Sequence, residues 1–174
     1  MSLNPVWRCG LAALAVAACS PALNWRDTPV PDAHLVALFP CKPDRLARDL
    51  SLAETRVRLV LLTCSAAGAT FALAHADMAD PGKVHAALTQ LRDSAAANLG
   101  GAPQRLAPLG VPGMTPNPLA ERWAISGFGS DGAALQEQVG LFSRGARVYQ
   151  ATVFAPRLDA EAADTFFSGL RLSP

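Results

Sequence analysis

The stretch Arg56-Val57-Arg58-Leu59-Val60-Leu61-Leu62-Thr63-Cys64 decides the fold class. It is dense in branched residues, as strands are, and Ser65-Ala66-Ala67-Gly68 closes it before residues 70–77 place Phe71, Leu73 and His75 on one face. Together the two runs predict a hairpin with a loose turn. Downstream, residues 121–126, 134–143 and 147–155 are three more strand-like runs, joined by Gly127-Phe128-Gly129-Ser130-Asp131-Gly132 and by Arg144-Gly145-Ala146. Such spacing predicts an antiparallel meander. Upstream, residues 34–39 form a short apolar run stopped by Pro40, and residues 44–53 mix polar and apolar positions as a half-buried strand does.

Two helices complete the pattern. Asp80-Pro81-Gly82 supplies a capping Asp and a Pro for the first turn, after which Val84, Ala87, Leu88, Leu91, Ala95 and Leu99 recur at helical spacing until Gly100-Gly101. Asp159 caps a second helix through Ser168 that buries Ala162, Ala163, Phe166 and Phe167 and ends at Gly169. Residues 102–118 hold five Pro and two Gly, which leaves room for a loop with one short edge strand near residues 104–106. The sum is an α+β fold, an antiparallel β-sheet flanked by helices.

Composition agrees with one compact domain. The chain has 174 residues, 51% hydrophobic and 17% charged, and its net charge of +1 lacks the basic excess that nucleic-acid binding requires. Ala contributes 34 residues and Arg outnumbers Lys 13 to 2, so the core is made of many small contacts.

The N-terminus is an address. A basic start ending at Arg8 precedes ten apolar residues, 9–18, about 15 Å of helix and half of what a membrane span needs. Val16-Ala17-Ala18-Cys19 resembles the lipobox of bacterial lipoproteins, which implies a signal peptide over residues 1–18, cleavage before Cys19 and acylation of Cys19. The two or more acyl chains of such a residue, at about 0.8 kcal/mol per buried methylene, hold a domain to the membrane effectively permanently. Ser20 follows, where by resemblance to lipoprotein sorting rules an Asp would favour the inner membrane, so the outer membrane is expected. Residues 19–32, with Pro21, Pro29 and Pro31 and no apolar period, read as lipidated N-terminus and linker, leaving residues 33–174 as the domain. Trp25 has two readings, a membrane-interface contact or a core contact.

Removing Cys9 with the signal and Cys19 to lipid leaves Cys41 and Cys64, an even pair in an exported chain, and hence a disulfide. A metal site or reactive thiol finds no support, since there is no C-x-x-C and His34, His75 and His85 lie at no ligand spacing with the pair.

Leu38-Phe39-Pro40, the helix ending near Asn98-Leu99-Gly100-Gly101, Arg147-Val148-Tyr149-Gln150, and Ala163-Asp164-Thr165-Phe166-Phe167-Ser168-Gly169-Leu170-Arg171-Leu172 together resemble the PsbP-like fold. The resemblance covers roughly residues 34–172 and implies an α/β/α sandwich whose relatives mostly bind or assemble other proteins, with no shared catalytic residues. The Cys41/Cys64 pair departs from that pattern and resembles a narrower group of proteobacterial lipoproteins.

Other motifs reduce to simpler readings. Gly127–Gly132 spells G-x-G-x-x-G, but a dinucleotide site needs a helix after it, whereas residues 134–143 read as strand. His75 and Asp77 point the same way on a strand, yet without a third group they read as a strand-end His beside a polar turn. Ser130 and Asp131 lack a G-x-S-x-G elbow, and Arg56 and Arg58 read as the solvated side of a strand. No catalytic residue, metal ligand or cofactor is assigned. The expected role is therefore a non-enzymatic, lipid-anchored envelope protein that presents its sheet face or the 102–118 loop to another envelope protein. The alternative is a periplasmic carrier or sensor of a small apolar ligand, held in a pocket between sheet and helix.

Overall fold

The structure is a computed structural model and describes residues 23–173. The expected signal peptide over residues 1–18, with Cys9, and the expected lipidation site Cys19 lie outside the described residues. The decisive hairpin is present as β4 (Thr55–Ala66) and β5 (Ala69–Asp77). Its turn is tight, not loose: pairing runs to Ala66 opposite Ala69, and Ala67 and Gly68 turn with φ of 51° and 76°. Two successive positive φ values match the twist of the flanking strands, and Gly68 adopts its own without cost.

The meander is also present, as β7 (Glu121–Phe128), β8 (Ala134–Arg144) and β9 (Arg147–Ala155). Before β4 comes β3 (Asp44–Leu52), and before β7 the short β6 (Gln104–Pro108). These seven strands form one antiparallel sheet in the order β3-β4-β5-β9-β8-β7-β6, because β5 pairs with β9 along Thr70–Asp77. The first six residues of β3 are exposed on both faces, so the expected half-buried strand is an edge with little cover.

Residues 19–32 are not all linker. Arg26–Val30 is a strand, β1, paired antiparallel with β2 (Leu35–Phe39), which pairs in turn with β10 (Arg171–Leu172). On this outer strand Pro29 needs no ladder N–H, and only Val30 is fully buried, which is why no period appears in the sequence. Trp25 takes the core reading: its ring meets Phe71 edge-on at 5.5 Å.

The two helices are α1 (Val84–Leu99) and α2 (Ala160–Ser168). Asp80 accepts a hydrogen bond from the Gly82 N–H in a 3-10 turn that leads into α1, and Asp159 accepts from the Glu161 and Ala162 N–H groups. Strand alternation then separates two cores. On one face Val60, Leu62, Phe71, Leu73, Tyr149 and Val153 meet α2 and the small sheet, with Phe39, Phe71 and Phe166 edge-to-face at 5.3–5.5 Å. Across the sheet, Ala76, Ile125, Val139, Leu141 and Val148 meet Val84, Ala87, Leu88, Ala95 and Leu99 of α1. Cys41, just after β2, is disulfide-bonded to Cys64 on β4 with Cα atoms 5.9 Å apart, joining the small sheet's exit to the large sheet.

Candidate functional site

The α1 face of the large sheet is only partly covered. α1 packs on β7, β8 and β9. Two glycines bring its C-terminal end close to β7: a Cβ on Gly127 would lie 1.9 Å from the Leu99 carbonyl oxygen, and one on Gly101 would lie 2.1 Å from that of Ser126. No side chain fits at either position. Gly127 thus has a packing role, and Gly127 and Phe128 finish β7 where the sequence reading placed a hairpin loop.

Drawn toward β7, α1 leaves the β3–β5 half of this face open as a cleft of about 530 Å³. Its floor follows from side-chain size. β5 contributes Thr70, Ala72 and Ala74, all small, while Leu59 and Leu61 of β4 and Leu50 and Leu52 of β3 rise as an apolar wall. The opposite wall is α1, through Gln90, Leu91, Ser94, Ala95 and Asn98. Gln90 also accepts a hydrogen bond from the Ala53 N–H at 2.7 Å, tying the helix to the β3–β4 turn.

Polar groups enter the cleft from β8 and β9. The Gln150 amide donates to the Thr152 hydroxyl at 3.2 Å. Glu137 is 7% exposed, flanked across the sheet by Phe154 and Ile125, and makes no hydrogen bond or ion pair with any described residue. Burial alone pushes its carboxyl up to about 7. Residue-by-residue reading of the sequence passed over Glu137; the one available signal was its alternation with Val139 and Leu141, which places an acid on a buried face.

His75 lies near the end of β5, as the sequence reading placed it, and is buried. It lies 4% exposed on the opposite face, its Nε2 3.5 Å from Asp32 Oδ2 without hydrogen-bond geometry and with no other partner. Asp32 is gripped by Arg45 at 2.6 and 3.0 Å, which holds its carboxyl below the ordinary value, while burial lowers the His75 pKa against the opposing pull of Asp32. Nearby, the Tyr149 hydroxyl donates to the Ala33 carbonyl at 2.7 Å and its ring stacks on Phe142 at 4.6 Å. This cluster fastens the 3-10 turn Pro31–Ala33 to the large sheet. Asp77 serves elsewhere, accepting from Arg147 at 3.0 Å and from the Ala79 N–H at 2.9 Å. Asp131 accepts from the Ala133 N–H at 3.0 Å beside exposed Ser130 in the β7–β8 turn, and Arg56 and Arg58 are solvated. Among the described residues no three His, Cys, Asp or Glu side chains group as a metal site would, and no helix is long and apolar enough to cross a membrane.

Compared with known protein families and curated proteins, the chain matches no family model and no curated sequence.

Proposed function

We propose that this chain is a lipid-anchored, non-enzymatic binding protein of the bacterial cell envelope, with a PsbP-like α/β/α sandwich that takes a small, largely apolar ligand between α1 and the sheet. The observation that carries this reading is the preformed cleft of about 530 Å³ with a leucine wall, within the range of roughly 300–1,000 Å³ typical of ligand sites. Anchoring rests on the lipobox-like Val16-Ala17-Ala18-Cys19. Because Leu23 and Trp25 already pack on the core, an acylated Cys19 would stand four residues from the domain, a tether of at most about 14 Å. That holds the domain against the membrane surface, outer more than inner by the Ser20 rule.

A second reading, a protein partner on the same face, is favoured by Leu46, which is 63% exposed beside a depression of about 310 Å³ over Leu59 and Leu61. Titration with the apolar fluorophore N-phenyl-1-naphthylamine separates the two. A ligand site gives saturable one-to-one binding that weakens in Leu61→Asn. Absence of saturable binding overturns the small-ligand reading. For the anchor, the intact mass of protein extracted from envelopes should show cleavage before Cys19 with added acyl chains; an unmodified Cys19 refutes it.

A further inference from the structure

We infer that the ligand of this cleft is an amphiphile headed by an ammonium group, with Glu137 receiving the head and the Leu59/Leu61 wall receiving the apolar body. The inference rests on the cleft being a small-ligand site. Glu137 is the feature that selects the head group. It is more than nine-tenths buried, it lines the cleft, and no described residue donates to it. A carboxyl with no protein donor, hydrated only through the cleft, is costly, and a ligand that brings a cation and N–H donors to it offsets that cost.

The charges around it point the same way. Of the cleft's lining residues only Glu137 and Arg48 are charged. Arg48 stands on β3, four strand steps across from Glu137 on β8 and, paired with Leu59, six residues along, or roughly 28 Å at about 4.8 Å per step and 3.3 Å per residue. Within that distance β9 offers Gln150, Thr152 and Phe154, β5 offers Thr70, Ala72 and Ala74, α1 offers Gln90, Ser94 and Asn98, and β7 sets Ile125 opposite Glu137, so no protein cation faces the carboxyl. Glu137 pairs through Phe154 and Thr70 with Ser65, so Leu61 of β4 lies three steps across and four residues along, roughly 20 Å away by the same spacings, with Leu59 beyond it. Head and body sites are thus separated along one cleft, which is the geometry an amphiphile needs.

The test uses three ten-carbon probes, decylammonium, decanol and decanoate, titrated calorimetrically into the full chain at pH 8. The expected order is decylammonium tightest, by about tenfold or more over decanol, with decanoate weakest. Glu137→Gln should bring decylammonium and decanol within about twofold of each other while decanol binding persists. At pH 5.5 the wild-type preference should shrink, since the carboxyl is then largely protonated.

Each other outcome is decisive. Equal binding of decylammonium and decanol, with both weakened by Leu61→Asn, overturns the ammonium head group and leaves the cleft as a ligand site. So does an ammonium preference that survives Glu137→Gln, and so does an order led by decanoate, which would place the head at Arg48. No binding of any probe overturns the inference and the small-ligand reading together.

Discussion

Glu137 carries an energetic penalty that pH should reveal. Its carboxyl titrates near 4.5 in the unfolded chain and at about 7 in the folded one, so below pH 4.5 both states are protonated and folding is unaffected. Between those values the unfolded chain gives up the proton first, and stability falls as pH rises; above 7 the loss is complete at roughly 3 kcal/mol. Denaturant unfolding of Glu137→Gln should show a variant about that much more stable than wild type at pH 8 and nearly equal to it at pH 4. His75 acts in the opposite sense, its folded pKa lying below 6.5, so stability is lost as pH falls below that value. Because both proteins carry His75, the difference between them isolates Glu137; a constant gap across the range would refute the assignment. Beyond the buried face on which alternation puts Glu137, neither residue's surroundings were legible in the sequence. The Asp32–His75 contact joins positions 43 apart, and the exposure of Glu137 depends on where α1 lies.

That placement belongs to the elements, and there the turns and glycines decide. Helix α1 was legible because the Asp80-Pro81 turn that leads into it, its apolar spacing and its Gly100-Gly101 stop agree with one another. β1 was not, since an outer strand with one buried residue and a Pro carries no alternation. The strand that follows the G-x-G-x-x-G spelling was legible, but the packing of Gly127 against Leu99 depends on a contact 28 positions away. Gly127→Ala should cost about 2 kcal/mol or more, because the atom met is backbone and α1 must lift from β7. Gly129→Ala, whose Cβ would meet the movable Asp131 carboxylate at 2.9 Å and the Ala133 carbonyl only at an ordinary 3.8 Å, is the control and should cost under about 1 kcal/mol. Chemical denaturation measures both, and N-phenyl-1-naphthylamine binding reports whether the lifted helix alters the cleft. Equal costs for the two variants would mean that α1 is not seated by Gly127.

At the scale of the whole molecule the α+β class and the large antiparallel sheet followed from local patterns, because hairpins are written in contiguous sequence. The arrangement of the small sheet did not, since β10 reaches β2 across most of the chain. The Cys41–Cys64 bond crosses that same boundary, from the end of the small sheet's central strand to β4. Its effect is therefore on how the two sheets are held together, as well as on the unfolded chain. Closing a loop of separation 23 stabilises by roughly 3 kcal/mol on the chain-entropy model. Cys41→Ser should lower unfolding free energy by about 2–4 kcal/mol in oxidising buffer and match wild type once both are reduced. The remaining Cys64 side chain is 5% exposed, so a thiol reagent should modify it in denaturant and only slowly in the folded protein. Rapid modification under native conditions would show that the two sheets separate when the bond is absent, and that the aromatic core of Phe39, Phe71 and Phe166 does not hold them by itself. Slow modification, with the full loss of stability, would place the bond's effect in the unfolded state instead.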